Sequence, residues 1–216
     1  LQQQLAIMHS MDTFQWIMDN KLELGHGLWK LKGHEYQIGW LQENHPRQCF
    51  IKGAQIGATE TLVLRTLQGM IFDKYKQGAL YLFPTRDDVK DFSKARFDPL
   101  INGNPFIGAH VQSTDAQNIK RIGKGFLYLR GARRTKNIGG VKGTSSQLKS
   151  IPVDRIVFDE MDEIEPDMIT LAEERISHSE NGEMMYLGTP TIPDYGIDRM
   201  YQQSDQRVWM VECKAC

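Results

Sequence analysis

The sequence predicts an α/β fold in which a mostly parallel central sheet is flanked by helices. Short apolar runs of strand length recur along the chain, and glycine, proline or acidic residues close them. Segments with the helical spacing of apolar residues separate these runs. Strands that alternate with helices build a parallel sheet covered on both faces. With 216 residues, 40% of them hydrophobic, the chain is long enough for one sizeable domain with a single core.

The predicted strands are short runs rich in branched and aromatic residues. They are Gln48–Ile51, Ala79–Phe83 (closed by Pro84), Phe126–Leu129, Arg155–Phe158, Glu183–Leu187 and Val208–Glu212.

The predicted helices follow from apolar spacing and from their first residues. Helical spacing covers Ala58–Asp73, Asp87–Leu100 with Asp87 as its cap, and Pro166–His178 with proline in its first turn. Residues 10 to 30 are predicted to form a helix followed by a loop at its glycines. Residues 132 to 150 show no clean periodicity and contain three glycines, so a mobile loop is predicted there.

The domain boundaries follow from these elements. We predict an N-terminal helical appendage over residues 1–35, the main domain over residues 36–212, and the start of a linker over residues 213–216. Cys213 and Cys216 form half of a zinc-knuckle pattern that lacks its second pair. Because the chain opens on leucine and stops after this pattern, we expect it to be one part of a longer polypeptide. No apolar run approaches the roughly 18 residues of a membrane span, so no membrane partner is expected.

Charge is distributed unevenly along the chain. The net charge is -1, yet residues 116–153 contain nine Lys or Arg and no Asp or Glu. This stretch is either a solvated face or a phosphate-binding surface for DNA or a neighbour's nucleotide. Both readings stay open.

A glycine-containing turn links the Gln48–Ile51 strand to the next helix. Its residues are Lys52, Gly53, Ala54, Gln55, Ile56, Gly57, Ala58 and Thr59. In a phosphate-binding P-loop, backbone N–H groups hold the phosphates and a hydroxyl binds Mg²⁺. Thr59 falls on the hydroxyl position, while Ala58 replaces the usual lysine and Lys52 occupies the position of the first glycine. Because the loop curls, Lys52 is placed to reach the same phosphates from the other side.

Two adjacent carboxylates end the strand Arg155–Phe158. We predict that Asp159 holds Mg²⁺ and that Glu160 orients and deprotonates an attacking water. Further along, Thr189 follows another strand and is a candidate contact for a γ-phosphate or for the attacking water. Upstream, Gln37 is a candidate partner for the adenine edge, and Tyr36 for its face.

With these motifs in order, the chain from about Tyr36 to Thr191 resembles the large terminase subunit of tailed bacteriophages. The lysine at the first P-loop position, with none after the second glycine, is similar to one branch of that family. Ile156–Asp162 resembles its Walker B strand with the catalytic glutamate, and Leu187–Pro190 its coupling motif. Gln37 is similar to its adenine-contacting glutamine.

The resemblance implies a P-loop NTPase of the additional-strand (ASCE, RecA-like) type that binds ATP and Mg²⁺. It implies a homo-oligomeric ring around double-stranded DNA, portal and small terminase subunits as partners, and action in the host cell cytoplasm. It also implies a C-terminal nuclease, which this chain lacks, so no nuclease activity is expected. An arginine from a neighbouring subunit often completes such a site. The candidates are Arg121, Arg130, Arg133 and Arg134.

Two alternatives remain at this stage. Asp159–Asp162 also spells the pattern of DExD helicases and translocases, although those need two RecA-like domains and a lysine after the second glycine. The other is a docking module whose P-loop binds nucleotide without turnover. The intact Asp159–Glu160 pair counts against it, because a binding-only site needs no general base.

Overall fold

The computed structural model describes residues 2–132, 148 and 151–213, except for the side chains of residues 113–116. Within this part of the chain, a seven-stranded sheet has the order β3-β9-β8-β4-β7-β6-β5. Its strands are β3 Arg47–Ile51, β4 Ala79–Phe83, β5 Val111–Ala116, β6 Ile119–Ile122, β7 Gly125–Gly131, β8 Arg155–Phe158 and β9 Glu183–Gly188. Neighbours from β3 to β7 pair in parallel, and β6 and β5 continue the sheet antiparallel. A short hairpin, β1 Glu23–Leu24 and β2 Gly27–Leu28, stands apart from the sheet.

Helices cover the sheet and form the N-terminal region. They are α1 Gln2–Met11, α2 Thr13–Asn20, α3 Gln37–Gln42, α4 Ala58–Ile71, α5 Arg86–Phe92, α6 Asp98–Gly103, α7 Pro105–Gly108, α8 Pro166–Glu173 and α9 Gly196–Gln202. A π-helix, Ser93–Phe97, joins α5 to α6, and short 3₁₀ turns cover Met161–Glu163 and Glu174–Ile176. None of the helices in the described ranges combines the length and apolarity that a membrane span requires.

The core lies on both faces of the sheet. All five residues of β4 are buried. Because side chains alternate along a strand, Tyr81 belongs to the cluster that contains α4, while Leu80 and Leu82 belong to the cluster that contains α8. A strand buried on both faces reads as a continuous apolar run, which explains why β4 was recognisable in the sequence.

The N-terminal segment packs against this core. Trp16 and Ile17 of α2 are buried in the same cluster as Leu64 and Leu67 of α4. Asp12 caps α2 by accepting from the backbone N–H of Gln15 at 3.0 Å. The segment therefore has two helices and a hairpin where one helix and a loop were predicted.

The amino ends of β8 and β9 carry a buried ionic network. Arg155 is fully buried and donates to Glu183 and, at 2.9 Å, to the Tyr75 hydroxyl. Burial raises the pKa of Glu183, but Arg155 and Lys74 outweigh it, so this pKa lies below its ordinary value of 4.5. The network fastens the two strands to the loop that follows α4.

Several predicted elements are corrected by the structure. The predicted strand Val208–Glu212 is wrong: no strand forms there, and Val208 and Val211 are 65% and 79% exposed. The predicted helix Asp87–Leu100 is three elements. Its cap is Thr85, whose hydroxyl accepts from the backbone of Asp88 in a capping box, so Asp87 is not the cap.

Other boundaries shift less. The predicted helix from Pro166 ends its α-helical part at Glu173, and α4 ends at Ile71. Strands β5 and β6 were not predicted. The loop predicted over residues 132–150 lies almost wholly outside the described residues.

Candidate nucleotide site

The order of the strands determines which side chains meet. Strand β9 lies between β3, which precedes Lys52, and β8, which precedes Asp159. Parallel strands present their carboxyl ends at one edge, where open α/β sheets bind their ligands. Three predicted groups that are far apart in sequence therefore follow neighbouring strands: the P-loop-like turn, the acidic pair and the Thr189 turn.

Lys52 is held at the centre of this edge. Its backbone N–H donates to Gly188 O at 3.0 Å, which extends the pairing of β3 with β9 by one residue. Its Nζ donates to Asp159 Oδ1 at 3.2 Å and to Glu160 Oε1 at 2.6 Å. Burial lowers the pKa of Lys52, but the two carboxylates outweigh it, so the pKa is raised and the ammonium stays charged. The structure thus brings Lys52 to the acidic pair despite its early position in the loop.

The turn from Lys52 to Thr59 has the backbone of a tight loop that opens a helix. Gln55 and Gly57 both have positive φ, of 61° and 74°. Residues Gly53, Ala54 and Gln55 are exposed to solvent, and α4 begins at Ala58 directly behind them. The N–H groups and dipole of a helix N-terminus favour a phosphate at this place.

Thr59 and Asp159 form the candidate metal position. Thr59 Oγ1 donates to Asp159 Oδ2 at 2.9 Å, so a hydroxyl and a buried carboxylate face one point. Among the described residues, no group of three or more His, Cys, Asp and Glu side chains could hold a metal. Mg²⁺ in phosphate-transfer sites takes one or two protein oxygens and completes its shell with phosphates and water. The pair fits that mode of binding.

Glu160 has an unusual backbone. Its φ and ψ are 52° and 55°, the left-handed region that non-glycine residues seldom occupy. Its N–H donates to the Asp159 side chain at 3.1 Å. Its side chain is 41% exposed, so it can reach a water at the sheet edge. Strained residues of this kind cluster at functional sites.

The Thr189 turn is tied to both sides of the site. Thr189 Oγ1 donates to Lys52 O at 3.2 Å. Asp162, two residues after Glu160, accepts from Thr191 N at 3.0 Å, Thr191 Oγ1 at 2.9 Å and Ile197 N at 2.7 Å. In the sequence, Asp162 was only the last residue of the acidic pattern Asp159–Asp162. Its hydrogen bonds to the Thr189 turn and to α9 were not predicted.

Tyr36 and Gln37 lie against the outer side of the loop. The Tyr36 hydroxyl and Gln37 Nε2 each donate to Ile56 O at 2.9 Å. The Tyr36 ring makes an edge contact with Trp40 at 5.2 Å between centroids. A pocket of about 740 Å³ opens beside Gln37 and is lined by His34, Gln55 and Gly57, but not by Tyr36.

The far wall of this pocket comes from elements that the sequence did not connect with the site. The β1–β2 hairpin and Trp29 directly after it contribute one part of this wall, and the π-helix contributes Arg96. Arg96 donates to Glu60, which directly follows Thr59. Only the fold brings these residues together, and no local motif signals them.

The candidate arginines for a neighbour's site differ in position. Arg130 pairs with Leu82 near the carboxyl edge of the sheet, stacks on Tyr128 and donates to Asn118 O at 2.6 Å. Arg121 pairs with Phe126 at the opposite edge. Arg133 and Arg134 lie outside the described residues, as does Cys216; Cys213 is exposed. Two lysines of the basic stretch are engaged internally: Lys120 with Asp98 at 3.0 Å, and Lys124 with Asp73.

Comparison with known proteins shows which family the chain matches and which solved structures it is similar to. A family model described as phage terminase large subunit gpA, ATPase domain, matches residues 38–216. No curated protein sequence matches the chain. The large terminase of bacteriophage HK97 is similar in structure, with a TM-score of 0.63 and 12% identity over 83% of this chain and 38% of that one. The large terminase ATPase domain of Thermus phage P74-26 has a TM-score of 0.55 and 14% identity over 72% and 64%.

A third similar structure is the large terminase of another thermophilic bacteriophage, in complex with ADP. Its TM-score is 0.50, with 17% identity over 74% of this chain and 39% of that one. The chain therefore spans less than two thirds of the length of these relatives. The likeness confirms the predicted fold, in which β9 is the additional strand between the loop-bearing and acid-bearing strands.

Proposed function

The chain belongs to the family of phage terminase large subunit gpA ATPase domains, and from that premise we propose that it hydrolyses Mg-ATP to drive DNA packaging. The observation that carries the proposal is the convergence of Lys52, Thr59, Asp159 and Glu160 at one sheet edge. A docking module would not need the carboxylate at Glu160 beside the lysine. The pair is what hydrolysis requires.

The residues divide the work of hydrolysis. Lys52 and the backbone of residues 53–59 would hold the β- and γ-phosphates, and Thr59 with Asp159 would hold Mg²⁺. The ion would supply positive charge that offsets the negative charge of the phosphates. Glu160 accepts the proton of a water whose oxygen attacks the γ-phosphorus, while the bond from that phosphorus to the ADP oxygen breaks.

The bond between Lys52 and Glu160 defines the first step. The Lys52 ammonium donates a hydrogen bond of 2.6 Å to the Glu160 carboxylate, which is the group that must accept the proton of the water. A phosphate that draws Lys52 toward itself frees Glu160 for the water. Thr189, bonded to the Lys52 carbonyl, then contacts the γ-phosphate and responds to its release.

The adenosine part occupies the pocket beside Gln37. Gln37 is 4% exposed and already fixed to the loop by its amide nitrogen, so its position is set before nucleotide arrives. Tyr36 supports the same loop turn through its hydroxyl. Its stacking on the base stays a prediction, because its ring packs against Trp40.

The proposed partners follow from the family. We infer a homo-oligomeric ring on double-stranded DNA, with portal and small terminase subunits, in the host cell cytoplasm. Arg130 is the described candidate nearest the carboxyl edge for completing a neighbour's site, and Arg121 stands at the opposite edge. A trans arginine raises such rates about 10³-fold or more.

The test is steady-state ATP hydrolysis with Mg²⁺, with and without duplex DNA, by wild type and Glu160→Gln. We expect the variant to lose about 10²-fold or more in kcat, since it lacks the proton acceptor, while it still binds labelled ATP. Glu163→Gln is the matched control: the same change, three residues on, at an exposed side chain. Wild-type binding without turnover at any protein or DNA concentration would instead favour the docking module.

A further inference from the structure

Arg96 lines the pocket that opens beside Gln37. The same pocket is lined by Gln55 and Gly57 of the loop and by Glu60 of α4. The Arg96 guanidinium donates to the Glu60 carboxylate, and the Arg96 side chain is 53% exposed. A half-exposed arginine therefore faces the space beside the phosphate-binding turn.

The π-helix explains how Arg96 reaches this pocket. Phe92 and Phe97, five residues apart, are both buried, at 7% and 1% exposure. An α-helix of 3.6 residues per turn would separate side chains at that spacing, whereas the wider π turn keeps them on one face. Of the residues between them, Ala95 and Arg96 line the pocket. Such π segments are frequent at functional sites.

The ion pair shares its surroundings with the metal position. The Tyr81 hydroxyl is buried and makes no hydrogen bond among the described residues. Burial raises the pKa of Tyr81, the carboxylates of Asp159 and Glu60 raise it further, and Arg155 and Arg96 oppose them. The charges of Asp159 and of the Arg96–Glu60 pair therefore both act on this one buried phenol.

We propose that Arg96 exchanges Glu60 for the phosphate chain of the nucleotide bound in the same subunit. A guanidinium forms parallel hydrogen bonds with phosphate oxygens as readily as with a carboxylate, so the exchange keeps Arg96 paired. The nucleotide brings more negative charge than Glu60 offers. The phosphates then meet two cations from their own chain, Lys52 and Arg96. This inference rests on the proposed function.

The test measures the Kd of fluorescent mant-ATP and mant-ADP for the folded domain and four variants. Arg96→Ala is expected to weaken both about tenfold or more, as expected for losing a charged hydrogen bond. Arg96→Lys is expected to recover part of the loss. Lys90→Ala is the matched control, because Lys90 is a 58% exposed cation, paired with Asp87, on the preceding α5 and outside the pocket. It should stay within about twofold of wild type, as surface pairs contribute little.

Glu60→Gln separates a binding role from a structural one. If Arg96 binds phosphate, removing its competing carboxylate leaves nucleotide affinity unchanged or stronger. If the pair only fastens the π-helix to α4, Glu60→Gln weakens binding as Arg96→Ala does, and the proposal is overturned. It is overturned too if Arg96→Ala binds like wild type. No binding by wild type would refute the proposed function itself, and this inference with it.

Discussion

Gly57 shows how much of the site depends on one backbone position. Its φ is +74°, and a Cβ there would lie 2.6 Å from Gln37 Nε2. The residue lets the loop turn into α4 and lets the Gln37 amide approach Ile56 O. Both conditions exclude a side chain, since the left-handed region costs an L-residue about 1–2 kcal/mol and the contact adds a clash.

We therefore expect Gly57→Ala to lower the free energy of unfolding by about 1–2 kcal/mol or more and to weaken ATP binding. Urea denaturation and nucleotide titration measure the two effects. Gly39→Ala is the control: it lies inside α3, and its Cβ would meet nothing within 4 Å. That change should be neutral or gain up to about 1 kcal/mol. Equal effects of the two substitutions would contradict the role given to Gly57.

The candidate site residues that the sequence could predict are those that are neighbours in a motif. Lys52 to Thr59 and the pair at residue 159 follow apolar strands, and their spacing carries the chemistry. Arg96, Glu60 and the bonds of Asp162 could not be foreseen, because each depends on which helix or turn lies opposite in the fold. The position of Lys52 between two carboxylates follows from β9, which no local pattern could place.

At the scale of elements, Asp162 joins the acidic strand to the turn and helix that follow β9. Both of its carboxylate oxygens accept: Oδ2 from Thr191 and Oδ1 from Ile197. Gly196 has a φ of +53°, and a Cβ there would collide with Asp162 Oδ1. The end of β8, the Thr189 turn and the start of α9 are thereby held as one unit.

Asp162→Asn places an amide N–H₂ against one of these donors. We expect a loss of about 1–3 kcal/mol in the free energy of unfolding and a lower kcat for ATP. The KM should change little, because Asp162 does not line the pocket. Urea denaturation and steady-state kinetics measure these outcomes. Asp87→Asn, at an 86% exposed side chain, is the control and should stay within about 0.5 kcal/mol. An unchanged kcat in Asp162→Asn would argue against coupling through this residue.

Secondary structure was predictable where elements are buried on both faces. β4 and β8 have the same bounds as the strands that were predicted from the apolar runs Ala79–Phe83 and Arg155–Phe158, and every residue of both strands is buried. β5 was not predicted because Val111–Ala116 is largely polar. Its pairing with β6, and not its composition, makes it a strand. Val208–Glu212 has strand-like residues but no neighbouring strand to pair with, so the strand predicted there from its composition was wrong. Thr85 and not Asp87 caps α5, because the Asp88 side chain accepts a hydrogen bond from the backbone N–H of Thr85 and so completes a capping box.

At the scale of the whole molecule, the Arg155–Glu183 network sets a dependence of stability on pH. The folded pKa of Glu183 lies below its ordinary value of 4.5, so the carboxylate stabilises the fold above about that pH. The stabilisation is lost as the pH falls through the lower folded value. We therefore expect this network to lose its contribution to stability as the pH falls below 4.5, and acid unfolding of the domain to begin in that pH range.

Glu183→Gln tests this expectation. It leaves Arg155 buried without its counter-charge, and we expect a loss of about 3–5 kcal/mol at pH 7. The difference from wild type should shrink as the pH falls below 4.5, where Glu183 of the unfolded chain takes up a proton, and disappear below the lower folded pKa, where the folded carboxylate is neutral too. Urea denaturation at pH 7 and at acidic pH measures both values. Glu180→Gln, at an exposed residue nearby, should show neither effect. A difference that does not vary with pH would exclude Glu183 as the titrating group.

The place of β9 inside the sheet limits how a conformational change at the candidate site can reach the rest of the domain. Both edges of the strand are hydrogen-bonded along its length, to β3 on one side and to β8 on the other. The strand cannot slide without breaking two ladders at once, so it acts as a fixed support. Displacement must begin beyond Gly188, where the chain leaves the ladders, and pass through α9, which packs on β3. In the motor that we propose, the movement would then travel along the surface of the sheet, while the sheet itself stays rigid.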